Sequence, residues 1–396
     1  MRIAFISPFL PYPPDNGIKI RDYYLLRGLA SHHEVDLVTP SYTEIDEGVQ
    51  QVESLGAKVY IFRHRKKWNL PAKISQTFLP TPLGVNYFAP TSTVTQVQEM
   101  LRRGAYDLLY VDEMFLAPYA WGIADVPKIL SRTKIDYSFY GQLAKNSAST
   151  GQKLLSLIEY HKTYRYEKRV WLEFRKGIVC SPREKELVMK IAPGVDLLVA
   201  PNGVDTRLFA FDEGKEREVP VLLFVGTMSY QPNIDGVLYF LREVYPRIIA
   251  DRDEVEIWIV GHDPPLSIQL FDRDPRIKVT GSVSDVQPYY RGCTAVIVPL
   301  RIGGGTRLKI AEAMAIGRPV ISTPIGCEGL EVRHEEHLLI AEGPEEFAQQ
   351  TLRLLDEPGL RKRLVENGRR LVEERYSWST IAAQVEEFCI EAVTAG

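Results

Sequence analysis

Residues 299–323, PLRIGGGTRLKIAEAMAIGRPVIST, place three consecutive glycines between an apolar strand and a mostly apolar helix. The spacing predicts that the helix begins at Thr306. Its first turn carries Arg307 and Lys309, although the helix dipole favours anions at that end. Glycines let a ligand approach the backbone closely, and a helix N-terminus offers unpaired amides. The stretch therefore predicts an anion site whose charge the two cations would balance.

One acidic residue extends this predicted anion site. Glu312 lies six residues beyond Thr306, about 9 Å along the helix, and its carboxylate could accept hydrogen bonds from two ribose hydroxyls. A phosphate followed by a ribose is a nucleoside diphosphate. The alternative is an ordinary glycine turn before an amphipathic helix, with Arg307 and Lys309 pointing to water. The residues predicted to hold the phosphates are Gly303, Gly304, Gly305, Thr306, Arg307 and Lys309.

Short apolar segments alternate with helical segments along the whole chain, which predicts doubly wound parallel sheets. Because 396 residues exceed one typical core, we expect two such α/β domains facing a cleft. The predicted boundaries give an N-terminal domain over 1–199, a C-terminal domain over 200–375 and a final helix over 376–396 that packs back on the first. The predicted strands lie in RIAFISPF, EVDLVTP, AKVYIF, YDLLYVD, PKILSR, GIVCSP, LLVAPNGVDTRLF, VPVLLFVGT, VEIWIVG, IKVTGSV, TAVIVPL and RPVIST.

The composition is that of a globular protein, with 45% hydrophobic and 25% charged residues. No apolar run approaches the ~18 residues of a membrane span, and the proline-rich start is too short for a signal peptide. The four cysteines show no metal-ligand spacing, and neither do the seven histidines. We therefore expect a cytoplasmic protein with no metal and no bound cofactor.

A basic and aromatic segment follows the third predicted strand. Between Glu53 and Glu99 there is no acidic residue, while six cations lie between Lys58 and Lys73, near Trp68. This pattern favours peripheral contact with an anionic membrane surface or a lipid-phosphate acceptor, and a solvated loop is the alternative. Nucleic acid is not expected as a partner, because the net charge is -3 and no binding motif is present.

Five segments of the sequence, from both of its halves, resemble glycosyltransferase family 4, whose members are retaining enzymes of the GT-B fold. The resemblance spans both predicted domains. It implies transfer of a sugar from a nucleotide-diphosphate donor to a polysaccharide or glycolipid precursor, with retention of configuration and without a metal. The segments that carry it are RLKIAEAMAIGRPVIST, APNGVDTRLF, LLFVGTMSYQPNIDG, YSWSTIAAQVEEF and PYPPDNGIKIRDYYLLRGLA.

The family's ribose-binding glutamate corresponds to Glu312 in this sequence. The family's earlier glutamate falls on Gly304, so that carboxylate is missing. Family members usually carry an arginine and a lysine after the first strand of the second domain. These positions fall near Thr227 and Asn233 in this sequence, so that cationic pair is missing too. We hypothesise that Arg307 and Lys309 supply the charge of the absent pair.

The resemblance implies further site residues. Gly226 and Thr227 belong to the segment that opens the second domain and are expected to bind the donor. Gly17 matches the glycine of a first-domain loop that approaches the donor phosphates, with an ordinary turn as the alternative. Asp136 is the nearest equivalent of a histidine that contacts the donor sugar, and either a catalytic role or a helix cap fits it.

Two other functions stay open at this point. One is a nucleotide-sugar epimerase or hydrolase with the same fold, which would need acids or bases that the sequence does not display. The other is a non-catalytic nucleotide-sugar-binding partner, which the missing carboxylate at Gly304 keeps open.

Overall fold

The apolar segments of the first half form one parallel sheet in the computed structural model, which describes residues 1–41, 48–63, 79–147, 149–213, 217–303 and 307–394. The strand order is β3-β2-β1-β4-β5-β6-β7, with seven strands in the described residues. Strands of a parallel sheet are buried on both faces, and β4, LLYVD, is buried throughout. The strands are β1 (Arg2–Ile6), β2 (Glu34–Ser41), β3 (Ala57–Arg63), β4 (Leu108–Asp112), β5 (Lys128–Arg132), β6 (Lys176–Val179) and β7 (Asp196–Val199).

Helices connect these strands and cover the sheet. The longest of them is α7, with 25 residues. The helices are α1 (Gly17–Ala30), α2 (Val49–Glu53), α3 (Leu83–Phe88), α4 (Thr91–Arg103), α5 (Ala117–Ala120), α6 (Asp136–Asn146), α7 (Thr150–Phe174) and α8 (Pro182–Ile191).

The second half builds a second parallel sheet with the order β10-β9-β8-β11-β12-β13, again counted in the described residues. Because β8 pairs with both β9 and β11, the winding direction reverses between β8 and β11. Ligands of doubly wound sheets bind at the carboxyl ends of the strands at such a reversal. The strands are β8 (Val221–Val225), β9 (Glu256–Val260), β10 (Ile277–Val279), β11 (Ala295–Val298), β12 (Val320–Ser322) and β13 (Leu339–Ile340).

The second half shows two features that the sequence does not predict. The charged segment over 345–374 forms two helices that meet at Glu357, because Pro358 cannot continue the first of them. The two-residue strand β13 was not predicted, since so short a segment has no periodicity. The helices are α9 (Gln231–Tyr239), α10 (Tyr245–Asp251), α11 (Leu266–Gln269), α12 (Gln287–Gly292), α13 (Leu308–Ile316), α14 (Pro344–Asp356), α15 (Pro358–Arg375) and α16 (Trp378–Thr394).

The chain divides into two compact units, Met1–Pro201 with Trp378–Gly396, and Asn202–Ser377. The predicted boundaries at 199 and 375 fall close to these limits. The final helix α16 belongs to the first unit and packs on α1, where a Cβ atom added at Gly28 would lie 2.5 Å from the Cβ of Ala382. The predicted fold of two doubly wound α/β domains with a returning C-terminal helix is confirmed. The predicted cleft stays a prediction.

No helix within the described ranges combines the length and the apolar character that crossing a membrane requires. The basic segment between Lys58 and Lys73 falls largely on residues 64–78, which lie outside the described residues. The expected membrane contact of this segment therefore stays a prediction.

Candidate functional site

The predicted anion site lies at the carboxyl ends of the neighbouring strands β8 and β11. Helix α13 begins at Leu308 with Arg307 as its N-cap, whereas the sequence predicts a start at Thr306. Gly304, Gly305 and Thr306 lie outside the described residues. The predicted role of their amides therefore stays a prediction, and the described part of the site consists of side chains.

Lys309 reaches from α13 to the loop that follows β8. Its Nζ donates a hydrogen bond to Oδ1 of Asn233 over 3.1 Å and lies 3.9 Å from the centroid of the Phe224 ring. Asn233 is oriented in turn, because its Nδ2 donates to the carbonyl of Thr227 over 2.8 Å. A Cβ atom added at Gly226 would lie 2.9 Å from the Lys309 Nζ. The structure thus brings together Lys309, Gly226 and Thr227, three of the predicted donor-binding residues.

The backbone of Gly226 also requires a glycine at position 261. A Cβ atom added at Gly261 would lie 1.9 Å from the carbonyl oxygen of Gly226, so the two loops approach through their backbones. Gly261 has a φ of +155°, which L side chains rarely adopt. This contact places the loop after β9 directly beside the loop after β8.

Arg307 is buried, with 9% of its surface exposed. Its guanidinium lies against Gly303, where an added Cβ atom would be 2.6 Å from Nη2. Gly303 has a φ of +129°, a conformation that favours glycine. Since Arg307 is buried and Lys309 is partly buried, the alternative of two solvated surface cations does not describe this helix end.

Burial, together with the neighbouring charge of Arg307, lowers the pKa of Lys309 to about 7, although Glu312 opposes this shift. Desolvation disfavours the charged form of an amine, and a nearby cation has the same effect. An anion placed beside Lys309 would favour the charged ammonium and so raise this pKa again. The amino end of α13 is therefore electrostatically prepared for an anion.

Glu312 lies on the same face of α13 as Lys309, one helical turn further on. Its Oε2 accepts a hydrogen bond of 2.7 Å from the hydroxyl of Tyr290, which is fully buried on α12. Burial raises the pKa of Glu312, although the Tyr290 hydrogen bond and the charge of Lys309 oppose this shift. Tyr290 was not predicted, because a tyrosine 22 positions before Glu312 carries no pattern that links it to this glutamate.

A second pair of residues missed by the sequence analysis joins the residues before Gly303 to helix α9. The guanidinium of Arg301 donates two hydrogen bonds to Asp235, of 3.0 and 2.6 Å. It also lies 4.7 Å from the centroid of the Tyr239 ring. Helix α9 thus contacts residues on both sides of the glycine run. Asp235 contacts Arg301, which precedes the run, and Asn233 contacts Lys309, which follows it.

Gly17 is the first residue of α1, and the side chain of Asn16 caps this helix by accepting a hydrogen bond from the amide of Lys19. A Cβ atom added at Gly17 would meet nothing within 4 Å in the described residues. Packing therefore gives no reason for a glycine here, and its predicted contact with donor phosphates stays a prediction.

Asp136 lies at the start of α6 inside a buried ionic group that we call the Arg132 cluster: Arg132, Glu113, Asp136 and Glu167. The guanidinium of Arg132 pairs with Glu113, with Asp136 and, over 3.1 Å, with Glu167. Burial would raise the pKa of Asp136, but the charges of Lys134 and Arg132 outweigh it and lower that pKa. Asp136 is only 3% exposed, and it is not the helix N-cap, which is Ile135. Its carboxylate is occupied within the protein, which favours a structural role, and the predicted catalytic role stays a prediction.

Among the described residues, no three His, Cys, Asp or Glu side chains are grouped in a way that could hold a metal ion. The four cysteines are all buried. The expected absence of a metal and a cofactor stays a prediction.

Comparisons with known proteins show which sequences and folds this chain is similar to. Residues 219–357, which include β8 to β13 and Glu312, match the family described as "Glycosyl transferases group 1". An "Uncharacterized 44.6 kDa protein in cps region" from Klebsiella pneumoniae is 23% identical over 402 residues, covering 97% of this chain and 98% of that protein.

Two solved structures are similar in fold over nearly the whole length. Sucrose-phosphate synthase from Thermosynechococcus elongatus superposes with a TM-score of 0.75 at 19% identity, covering 100% of both chains. The Anabaena protein HepE in complex with UDP and glucose superposes with a TM-score of 0.67 at 15% identity, covering 98% of both chains.

Proposed function

We propose that this chain, which has the GT-B fold and a segment matching the group 1 glycosyl transferases, is a glycosyltransferase. It would transfer a hexosyl group from a nucleoside diphosphate to a polysaccharide or glycolipid precursor, with retention of configuration. One observation carries the proposal. Arg307, Lys309 and Glu312 converge from the start of a single helix on the point where the winding of the second sheet reverses. Two cations suit a diphosphate, and the carboxylate suits the ribose attached to it.

In this reaction the bond between the anomeric carbon and the diphosphate oxygen breaks, and its electron pair stays on that oxygen. The cations at positions 307 and 309 would stabilise the developing negative charge, which is an electrostatic contribution that needs no metal. The acceptor oxygen bonds to the anomeric carbon from the same face, and its proton passes to the departing diphosphate. No protein nucleophile is required.

The contact between Lys309 and Asn233 supports the hypothesis that charge has been relocated in this chain. The resemblance to family 4 places a lysine near position 233, and here the amide of Asn233 accepts a hydrogen bond from the Lys309 ammonium. An ammonium group thus lies near the expected position, although it is supplied by Lys309 of α13 and not by a lysine of α9.

The proposal predicts that a nucleoside diphosphate stabilises the protein. We expect one of UDP, GDP and ADP, with the corresponding nucleotide sugar, to raise the unfolding temperature, since ligand at 100 times its Kd adds about 2.7 kcal/mol. A thermal-shift titration measures this. If none of the three nucleotides binds, the transferase and the epimerase or hydrolase are both excluded.

Product analysis separates the remaining alternatives. Transfer of labelled sugar to an added saccharide or lipid-linked acceptor supports the transferase. Free or epimerised sugar without transfer would favour the hydrolase or epimerase, and binding without turnover would favour the non-catalytic partner.

Nucleotide affinity is expected to fall as the pH rises above 7. In the free protein the pKa of Lys309 is lowered to about 7, and a bound diphosphate raises it, so binding above pH 7 takes up a proton. The dissociation constant should then increase about tenfold per pH unit until the pKa of the complex is reached. Calorimetry with UDP, GDP or ADP between about pH 7.5 and 9 avoids the terminal phosphate ionisation near 6.

The matched variant for this measurement is Lys309→Gln, which cannot titrate. It should bind the nucleotide weakly at every pH, with little slope over the same range. A wild-type affinity that stays constant from pH 7.5 to about 9 would show that Lys309 does not gain a proton on binding.

We also propose a cytoplasmic location with peripheral contact at the inner membrane face. The support is the basic segment between Lys58 and Lys73 together with the proposed lipid-linked acceptor.

A further inference from the structure

Tyr290 occupies a fully buried position directly beneath the site face of α13. Its hydroxyl donates to Oε2 of Glu312 over 2.7 Å and lies 3.4 Å from the carbonyl oxygen of Lys309. Burying a phenol hydroxyl is costly unless it is hydrogen-bonded, so the ring and the carboxylate hold each other in one geometry. Hydrogen bonds to a carboxylate are also among the stronger ones in proteins.

The backbone on both sides of this tyrosine is held in place by Arg318, which is buried. Its Nε donates to the carbonyl of Tyr290 over 2.9 Å, and its Nη2 donates to the carbonyl of Arg291 over 3.0 Å. The rings of Phe209 and Tyr290 pack edge to face, with centroids 5.9 Å apart and an interplanar angle of 84°. The phenol is therefore a rigid support and not a side chain that adapts to Glu312.

The hydrogen bond decides which part of Glu312 is available to a ligand. Tyr290 occupies Oε2, and among the described residues no other side chain or amide donates to this carboxylate. Oε1 is thereby left to accept hydrogen bonds from a neighbouring molecule, with the plane of the carboxylate fixed. A carboxylate held in this way can distinguish a pair of hydroxyls from a single one, because Oε1 can accept two hydrogen bonds and an absent hydroxyl leaves one of them unmade.

We propose that Tyr290 is a positioning residue that orients Glu312 to recognise the ribose 2′- and 3′-hydroxyls, so that discrimination between ribonucleotides and 2′-deoxyribonucleotides depends on the Tyr290 hydroxyl. This inference rests on the proposed function, because it assumes that a nucleoside diphosphate binds here. It goes further in naming the residue that sets sugar recognition within the nucleotide.

The test compares Tyr290→Phe with a matched control, Tyr245→Phe. Tyr245 is also a buried tyrosine of the second unit, and its hydroxyl donates to the carbonyl of Val255 over 2.7 Å, away from the site. Each change removes one buried hydroxyl and leaves one acceptor behind. Dissociation constants are measured for UDP, GDP and ADP and for the 2′-deoxy form of each.

We expect wild type and Tyr245→Phe to prefer the ribonucleotide by the same factor. Tyr290→Phe should reduce that preference by about tenfold, as loss of a hydrogen bond to a charged group implies. Chemical denaturation should show comparable losses of stability for both variants. A Tyr290 residue with only a structural role would lower stability without changing the preference.

A pH profile provides a second readout. Burial raises the pKa of Glu312, and the Tyr290 hydrogen bond opposes that shift, so loss of the hydroxyl should move the acidic limb of ribonucleotide binding to higher pH. Should Tyr290→Phe fail to fold, 3-fluorotyrosine at position 290 retains the ring and donates more strongly. It should move the same limb to lower pH.

The outcomes are separable. If wild type binds none of the three diphosphates, the proposed function fails and takes this inference with it. If wild type binds but does not prefer ribose, or if Tyr290→Phe keeps the preference of Tyr245→Phe, only the role of Tyr290 is overturned.

Discussion

Replacing Arg307 and Lys309 together by alanine is expected to raise the dissociation constant for the nucleoside diphosphate by about 100-fold or more. Both cations lie at the amino end of α13, one buried and one in contact with Asn233. Hydrogen bonds to charged groups contribute about 1.5 to 3 kcal/mol each, so losing two of them should remove most of the diphosphate affinity. Calorimetric titration with UDP, GDP and ADP at pH 7 measures the change.

The matched control removes two exposed cations from the same unit, Arg333→Ala with Lys362→Ala. These side chains are 76% and 78% exposed and pair only with neighbouring glutamates on the surface. This double variant should bind the nucleotide as wild type does. If the Arg307 and Lys309 variant also keeps wild-type affinity, the relocated-charge hypothesis is wrong.

Replacing Arg132 by methionine is expected to lower the free energy of unfolding by about 3 to 5 kcal/mol. Arg132 is fully buried and pairs with three carboxylates, those of Glu113, Asp136 and Glu167. Removing the cation leaves these carboxylates buried without their partner, and that costs more than the pairing itself contributes. Urea denaturation followed by circular dichroism gives the difference.

A surface arginine provides the comparison for this variant. Arg103 is 78% exposed and pairs with Glu99 one helical turn away, so Arg103→Ala should change stability by less than about 1 kcal/mol. The loss caused by Arg132→Met should also shrink at low pH. Burial already raises the pKa of Glu167 to about 7, and protonated carboxyl groups no longer need a cation. A loss at pH 8 no larger than that of Arg103→Ala would contradict a structural role for the cluster.

A replacement of Asp136 would distinguish a catalytic role of this residue from a structural one. A catalytic Asp136 would be exposed to substrate, and its replacement would reduce turnover without a large cost in stability. If Asp136 acts only within the Arg132 cluster, its replacement should lower stability clearly and turnover only slightly. The reason is that the buried Arg132 would lose one of its carboxylate partners.

The sequence alone determined the local features of this protein. Apolar segments such as LLYVD and VLLFV predict buried parallel strands, because a strand covered on both faces needs no polar alternation. The glycine run, the two cations and Glu312 could be assigned to one strand-to-helix unit, since residues three and four apart on a helix share a face. Even there, the helix began two residues later than predicted, at Leu308, because helix ends depend on capping geometry.

Only the tertiary structure decided which distant residues complete the site. Asn233 meets Lys309 across 76 positions, Asp235 meets Arg301 across 66, and Tyr290 meets Glu312 across 22. The order and register of the parallel strands bring these pairs together, and no local periodicity encodes that register. The same holds for Asp136, whose surroundings of Arg132, Glu113 and Glu167 follow from the pairing of β4 with β5 and the packing of α7. Sequence patterns report which side chains are near in the chain, whereas burial and partner charges depend on which strands become neighbours in the sheet.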